Sequence, residues 1–130
     1  MQRLRLIVVV CLVIALLIGV GLTILDHQES VASCKERLKS GEHMLESAYK
    51  AADQGDLAGA RALLLTVAGE YTSDCQKAGI CAGMLPMLDP RPLGVAEMKD
   101  AKSLKDVATF TLGLVSLCLN SVDPDAKYTP

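Results

Sequence analysis

Four of the five cysteines, those after residue 25, are the side chains in this sequence best suited to chemistry. Thiols can form disulfides, bind metals or act as nucleophiles. A zinc site is disfavoured, since Cys75 and Cys81 stand six residues apart and match no zinc-knuckle spacing. An even number of cysteines outside a membrane indicates two disulfides; four buried free thiols in a reducing niche are the alternative. We therefore expect no metal and no cofactor, and the disulfide candidates are Cys34, Cys75, Cys81 and Cys118.

The other polar side chains form no catalytic constellation. Glu42 and Glu46 stand one helical turn apart, but His43 and the neighbouring lysines indicate an ordinary charged helix face. His43 falls off the apolar positions of its predicted helix and is expected on the surface. The sequence contains no phosphate-binding loop, dinucleotide-binding glycine motif, nucleophile elbow or zinc-protease motif. We expect no enzymatic activity.

Composition and charge argue against nucleic-acid binding. Two of the 13 basic residues, Arg3 and Arg5, lie before residue 6, so residues 26–130 carry 11 basic and 15 acidic side chains and a net charge of −4. A mildly acidic domain is poorly suited to a phosphate backbone. One Phe, three Tyr and no Trp also leave few rings on which bases could stack.

The N-terminal region contains an apolar run, residues 6–25, without a single charged side chain. Twenty helical residues span about 30 Å, the thickness of a bilayer core. Arg3 and Arg5 precede the run and Asp26 follows it, so residues 1–5 are expected in the cytoplasm and the rest outside the cell membrane. The alternative is a cleaved signal peptide, whose apolar stretch is usually shorter, about 7–15 residues.

Residues 26–122 are expected to form a helical bundle, followed by a flexible tail, residues 123–130. Apolar positions from Val31 to Ala52 recur at steps of three and four residues, which predicts a helix with its N-cap at Ser30 or Ser33. The sequence Gln54-Gly55-Asp56 then predicts a stop and a restart.

The second predicted helix runs to about residue 78 and must be antiparallel to the first, because the turn between them is so short. Facing residues then have numbers that add up to a constant, so that Cys34 meets Cys75 and Leu45 meets Leu64. The second disulfide, Cys81–Cys118, follows only by elimination. Gly41, opposite Ala68, is expected to allow a close approach of the helices. The predicted interface consists of Leu38, Gly41, Leu45, Leu64, Ala68 and Tyr71.

The segment 79–94 is interrupted by Gly and Pro and predicts a short extra helix of one or two turns between Ile80 and Leu85, followed by a turn or a helix start at residues 89–94. A third main helix is expected over about residues 93–121. The predicted fold class is therefore all-α: an N-terminal transmembrane helix followed by a small antiparallel bundle of three main helices with a short extra helical turn.

Apolar residues in 107–119 are too dense for one helix face, so this helix must be covered on more than one side. Three interpretations remain open. The stretch could be a second membrane span, it could be enclosed by residues 80–88 within the bundle, or it could expose a face that a partner or a second copy covers. The candidate partner-binding residues are Phe110, Leu114 and Leu117.

The Arg3-Leu4-Arg5 start with its anchor, the helix from Val31, and the run Asp53-Gln54-Gly55-Asp56-Leu57-Ala58-Gly59-Ala60-Arg61 resemble a bacterial family of unknown function. Its members are short single-pass membrane proteins with a small extracytoplasmic helical domain, mainly from Gram-positive lineages. The resemblance implies the same layout here and adds no activity.

These features favour a membrane-anchored interaction module of the cell envelope, with a protein partner or self-association. A small-ligand or signal-sensing ectodomain is the alternative, and the five residues before the span leave it little cytoplasmic output. A cleaved anchor would make the protein a secreted helical domain.

Overall fold

The computed structural model describes residues 1–122, except for the side chains of residues 23–27. The predicted tail, residues 123–130, lies outside the described residues. Within them the chain is all-helical and contains no β-strand. The helices are α1 (Gln2–Asp53), α2 (Leu57–Ala78) and α3 (Ala101–Val122), with 3₁₀ helices at Leu85–Leu88, Arg91–Leu93 and Val95–Glu97 between α2 and α3.

Helix α1 is one continuous helix of 52 residues, about 78 Å long. The expectation of a separate bundle helix with its N-cap at Ser30 or Ser33 is therefore wrong. No Gly or Pro occurs between Gly21 and Gly41, so nothing in the sequence interrupts the helix after the apolar run. The Ser33 hydroxyl does not cap α1; it donates a 3.0 Å hydrogen bond to Asp74 on α2.

The N-terminal part of α1 is long and apolar enough to cross a membrane, by length and composition. This candidate span covers Gln2–Leu22, and none of it is buried against the rest of the protein. Its leucine, isoleucine and valine side chains are about half exposed or more; Leu16, for example, is 69% exposed. The segment is therefore a candidate anchor or signal sequence.

The turn between α1 and α2 forms as the sequence predicts. Gly55 adopts a left-handed backbone with φ of 86°, which costs glycine nothing. The Asp56 carboxylate accepts a 3.0 Å hydrogen bond from the Gly59 amide and so caps α2. Gly79, with φ of 67°, ends α2 in the same left-handed conformation.

Residues nearer the start of α1 contact residues nearer the end of α2. Cys34 is bonded to Cys75, and Ser40 donates to Glu70 over 2.9 Å. Gly41 allows the close approach, but its neighbour differs from the predicted Ala68. A β-carbon on Gly41 would lie 2.6 Å from Cδ1 of Tyr71, so the missing side chain makes room for the aromatic ring.

Helix α3 begins at Ala101, later than the predicted start near residue 93. Gly94 is left-handed and Met98 is extended with ψ of 128°, so the chain forms only 3₁₀ turns before residue 98. Asp100 supplies the cap, because its carboxylate accepts a 2.8 Å hydrogen bond from the Ser103 amide. The predicted turn at 80–85 is likewise displaced, to Leu85–Leu88, and it contains Pro86 near its start.

The core lies between the three α-helices and the intervening segment. Helix α3 packs mainly against α1, and the Leu85–Leu88 helix contacts both α2 and α3. The largest fully buried side chains come from every part of this arrangement: Tyr71, Leu38, Leu45, Leu64, Leu88 and Leu104. This core therefore buries one side of α3.

Candidate docking face on helix α3

Helix α3 presents two different sides. The side that faces the core is a stripe at helical spacing: Leu104, Ala108, Thr111, Val115 and Cys118 are at most 1% exposed. Charged side chains occur only in the first part of the helix, and none follows Asp106. The second part of α3 is therefore uncharged all round, although only one side of it faces the core.

The interpretation in which residues 80–88 enclose the stretch 107–119 within the bundle requires Phe110 and Leu114 to be buried, and it is wrong for Phe110. Phe110 is 53% exposed and Leu117 is 61% exposed, whereas Leu114 is partly buried against the core. The Leu85–Leu88 helix does contact α3. It covers a single side, however, so the apolar side chains on the outer side remain in solvent.

The outer side of α3 forms a shallow apolar depression of about 430 Å³. Phe110, Gly113, Leu114 and Leu117 follow steps of three, one and three residues and therefore share a helix face; we call these four residues the α3 face. A β-carbon on Gly113 would meet nothing within 4 Å, so the glycine leaves a gap in this surface. The whole depression is lined by Thr109, Phe110, Gly113, Leu114, Ser116, Leu117 and Asn120.

A second depression, of about 320 Å³, lies where α3 meets α1. Lys105 borders this region: its ammonium lies 3.2 Å from the Asp53 carboxylate and 5.8 Å from the centre of the Tyr49 ring. These contacts fix the start of α3 against the end of α1. The lining residues are Glu46, Tyr49, Lys50, Ala108, Thr109 and Leu112.

The four candidate cysteines form the two disulfides that the sequence predicts. The Cys34–Cys75 bond joins α1 to α2 with 4.6 Å between the α-carbons. The Cys81–Cys118 bond joins the segment after α2 to α3 with 5.8 Å between the α-carbons. The structure also brings the six predicted interface residues into the interior, and it places His43 at the surface.

Two contacts that position the segment between α2 and α3 were not found from the sequence. The Tyr71 hydroxyl donates to the Leu88 carbonyl. The Arg61 guanidinium donates a 2.8 Å hydrogen bond to the Met98 carbonyl. One carbonyl lies at the end of a short 3₁₀ helix and the other on the extended residue Met98, so no residue spacing indicates these pairs in advance.

Two ionisable groups near this segment have shifted pKa values. Burial, and next the negative charge of Asp89, raise the pKa of the Tyr71 hydroxyl well above its usual value. The side-chain hydrogen bond from Arg91 lowers the pKa of the Asp89 carboxyl. The guanidinium of Arg91 bonds both carboxylate oxygens, at 2.7 to 2.9 Å, a local pair that stiffens the turn.

Within the part of the chain that the structure describes, no group of three or more His, Cys, Asp or Glu side chains could hold a metal ion. The exposed apolar side chains of the α3 face are therefore the candidate functional site. No family model, no curated protein and no solved structure matches this chain.

Proposed function

We propose that this protein is a membrane-anchored extracytoplasmic helical module that docks onto an apolar helix of another membrane-anchored envelope protein through the α3 face. In this proposal residues 1–5 are cytoplasmic, residues 6–25 are an uncleaved anchor, and residues 26–122 form an antiparallel three-helix bundle outside the cell membrane. The observation that carries the proposal is the exposure of Phe110 and Leu117 on an uncharged stretch of helix.

The position of the α3 face along α1 favours a protein over the lipid surface. Glu46 and Leu112 line one depression, so this part of α3 lies beside residue 46 of α1. Residue 46 is 24 positions beyond Leu22, the end of the candidate span, which is about 36 Å along a helix axis. Because α1 is one continuous helix, it would hold the α3 face well above the headgroups.

The size of the α3 face indicates a partner that is held in the same membrane. A stable interface buries about 800 Å² on each partner, far more than two half-exposed large side chains supply. A partner anchored in the same membrane would add effective concentration, which offsets a small contact area. A second copy would share the same membrane and gain the same effective concentration, and the cross-linking test below distinguishes it by the mass of its adduct.

A small-ligand ectodomain is less well supported. Ligand sites bury most of the surface of their ligand, whereas both depressions beside α3 are shallow and open to solvent. Glu46, Tyr49 and Lys50 line the second depression, but it is open to solvent and does not enclose a ligand. We likewise expect no enzymatic activity.

Photo-crosslinking in native membranes tests the proposal. A benzophenone amino acid replaces Leu117 in the full-length chain, and a matched control carries it at Lys39, an exposed position on α1. We expect one discrete adduct at position 117 that is absent at position 39 and is lost when Phe110→Ser is added. Equal labelling at both positions, or an adduct only of twice the mass of this chain, would contradict the proposed partner.

A further inference from the structure

The two disulfides of this domain differ in how a reductant can reach them. We propose that Cys81–Cys118 is a thiol–disulfide exchange site for a small or protein dithiol, whereas Cys34–Cys75 is a permanent cross-link. The proposed role of the exchange site in the cell rests on the extracytoplasmic location proposed above. The difference in reactivity between the two bonds does not depend on that location.

The Cys34–Cys75 bond is closed to attack in the folded protein. Both cysteines are 0% exposed and lie between α1 and α2 within the main core. Polar contacts cover the edge of this interface: Arg37 lies 3.2 Å from Glu70 and 3.3 Å from Asp74. A reductant can therefore reach this bond only after the two helices separate.

The Cys81–Cys118 bond is accessible from one side. Cys118 is fully buried, but Cys81 is partly exposed, in the turn that follows α2. The Cys81 Sγ lies 3.5 Å from the hydroxyl of Ser121, which is itself an exposed residue. Cys81 is therefore the more accessible half of this bond in the native state, and an incoming thiolate would approach from its side.

The backbone at Cys81 provides a second reason for exchange. Its φ is 52°, and it is the one residue other than glycine with a positive φ among the described residues. This left-handed conformation is unfavourable for a side chain with a β-carbon, and the surrounding structure must hold it. The Met84 and Leu85 amides donate to the Cys81 carbonyl and hold this turn. In the proposal the bond to Cys118 adds to that constraint, so that breaking it would leave Cys81 freer to relax.

A dithiol alone supplies the electrons and protons that the exchange reaction requires. One thiolate of the reductant attacks the Cys81 Sγ, a mixed disulfide forms there, and Cys118 leaves as a thiolate that takes up a proton. The second thiol of the reductant then attacks the reductant's other sulfur, which is bonded to Cys81. Cys81 leaves as a thiolate that takes up a proton. Two electrons and two protons pass to the cysteines, and the dithiol becomes a disulfide.

Reduction would loosen a defined part of the domain. The Cys81–Cys118 bond links the chain just after α2 to the last turn of α3. The hydrogen bonds Tyr71–Leu88 and Arg61–Met98 hold the rest of the intervening segment independently. We therefore expect local release of residues 79–85 and 118–122, next to Leu117 of the α3 face, so that the redox state would alter the docking surface.

The test uses the full-length protein in detergent micelles under native conditions. Dithiothreitol is added, free thiols are trapped with iodoacetamide at successive times, and each cysteine is quantified by peptide mass spectrometry. We expect Cys81 and Cys118 to be trapped at least about tenfold faster than Cys34 and Cys75, because the latter pair requires a local opening. Equal rates, or faster loss of the Cys34–Cys75 bond, would overturn the proposal.

A monothiol identifies the sulfur that is attacked. Glutathione has one thiol, so a second glutathione molecule or the released Cys118 resolves the mixed disulfide; rapid alkylation of Cys118 with iodoacetamide blocks its return, and glutathione is then expected on Cys81 and not on the buried Cys118. Hydrogen exchange of the reduced protein is expected to rise at residues 79–85 and 118–122 and to stay unchanged at 57–75. A mixed disulfide on Cys118, or an exchange increase throughout α2, would contradict the mechanism.

Discussion

The α1–α2 interface and the outer side of α3 are both rich in apolar residues, yet only one of them is accounted for by folding. Between α1 and α2, Leu38, Leu45 and Leu64 are at most 1% exposed. On the outer side of α3, Phe110 and Leu117 remain more than half exposed. Packing within the chain thus accounts for the apolar residues of the α1–α2 interface, whereas on the α3 face we propose that a partner covers them.

The largest expected difference between the two regions comes from a buried charge. Leu45→Asp places a carboxylate without a partner in the core, and we expect it to lower the free energy of unfolding by roughly 3–5 kcal/mol or to prevent folding. Leu117→Asp, at an exposed position, is expected to change it by less than about 0.5 kcal/mol. Thermal unfolding followed by circular dichroism measures both; equal losses would contradict the assignment of the two surfaces.

Two glycines give the next largest contrast. Gly41→Ala pushes a methyl group against the buried Tyr71 ring, with a cost of about 1–3 kcal/mol that outweighs the helix propensity of alanine. Gly113→Ala meets open space and is expected to raise the free energy of unfolding by up to about 1 kcal/mol. Denaturant unfolding of the two variants should therefore move in opposite directions, and a stabilised Gly41→Ala would remove the close-approach argument.

Tyr71 links the core to the segment after α2 and makes stability sensitive to alkaline pH. Tyr71→Phe leaves the Leu88 carbonyl without its donor and is expected to cost about 1–2 kcal/mol. Because the pKa of folded Tyr71 is raised, the tyrosine stabilises the folded state below its unfolded pKa, about 10, and this contribution declines as the pH rises above that value. Unfolding at pH 8 and pH 11 should thus show a smaller pH effect in Tyr71→Phe; an identical pH effect would argue against a buried hydroxyl.

The smallest expected effect lies on the buried side of α3. The Thr111 hydroxyl is buried and, among the described residues, has no hydrogen-bond partner. Thr111→Val removes that hydroxyl at nearly constant volume and is expected to stabilise the protein by about 1 kcal/mol. Urea unfolding checks this, and a loss of stability would indicate that the hydroxyl has a partner.

Residue spacing was sufficient to predict the elements that local rules determine. The turn at Gly55 and Asp56 follows from left-handed glycine geometry and helix capping, and the Cys34–Cys75 pairing follows from the register of two apolar stripes. Spacing was misleading at Ser30 and Ser33, where a capping pattern occurs inside a helix that nothing interrupts. A capping residue permits a helix start, but only a break in the backbone requires one.

The exposure of Phe110 could not be predicted because it depends on how many neighbours α3 has. The density of apolar residues showed that more than one side of α3 requires cover, and it could not show whether this chain supplies that cover. The start of α3 was missed for a similar reason: Asp100 and residue 93 both precede apolar repeats, and the irregular backbone between them decides. Tertiary packing therefore decides both the exposure of Phe110 and the start of α3.

The proposed docking is tested most directly by comparing the accessibility of the α3 face in cells and in the purified protein. Thr109→Cys introduces a thiol at the exposed edge of the depression, and Lys39→Cys, on the outer side of α1, is the control. A membrane-impermeant maleimide is applied to intact cells and to the purified full-length chain. The account predicts that position 109 reacts several-fold more slowly in cells than after purification, whereas position 39 reacts equally in both. Equal reactivity of position 109 in the two settings would mean that nothing covers the α3 face, and an unreactive position 39 in cells would contradict the outward orientation.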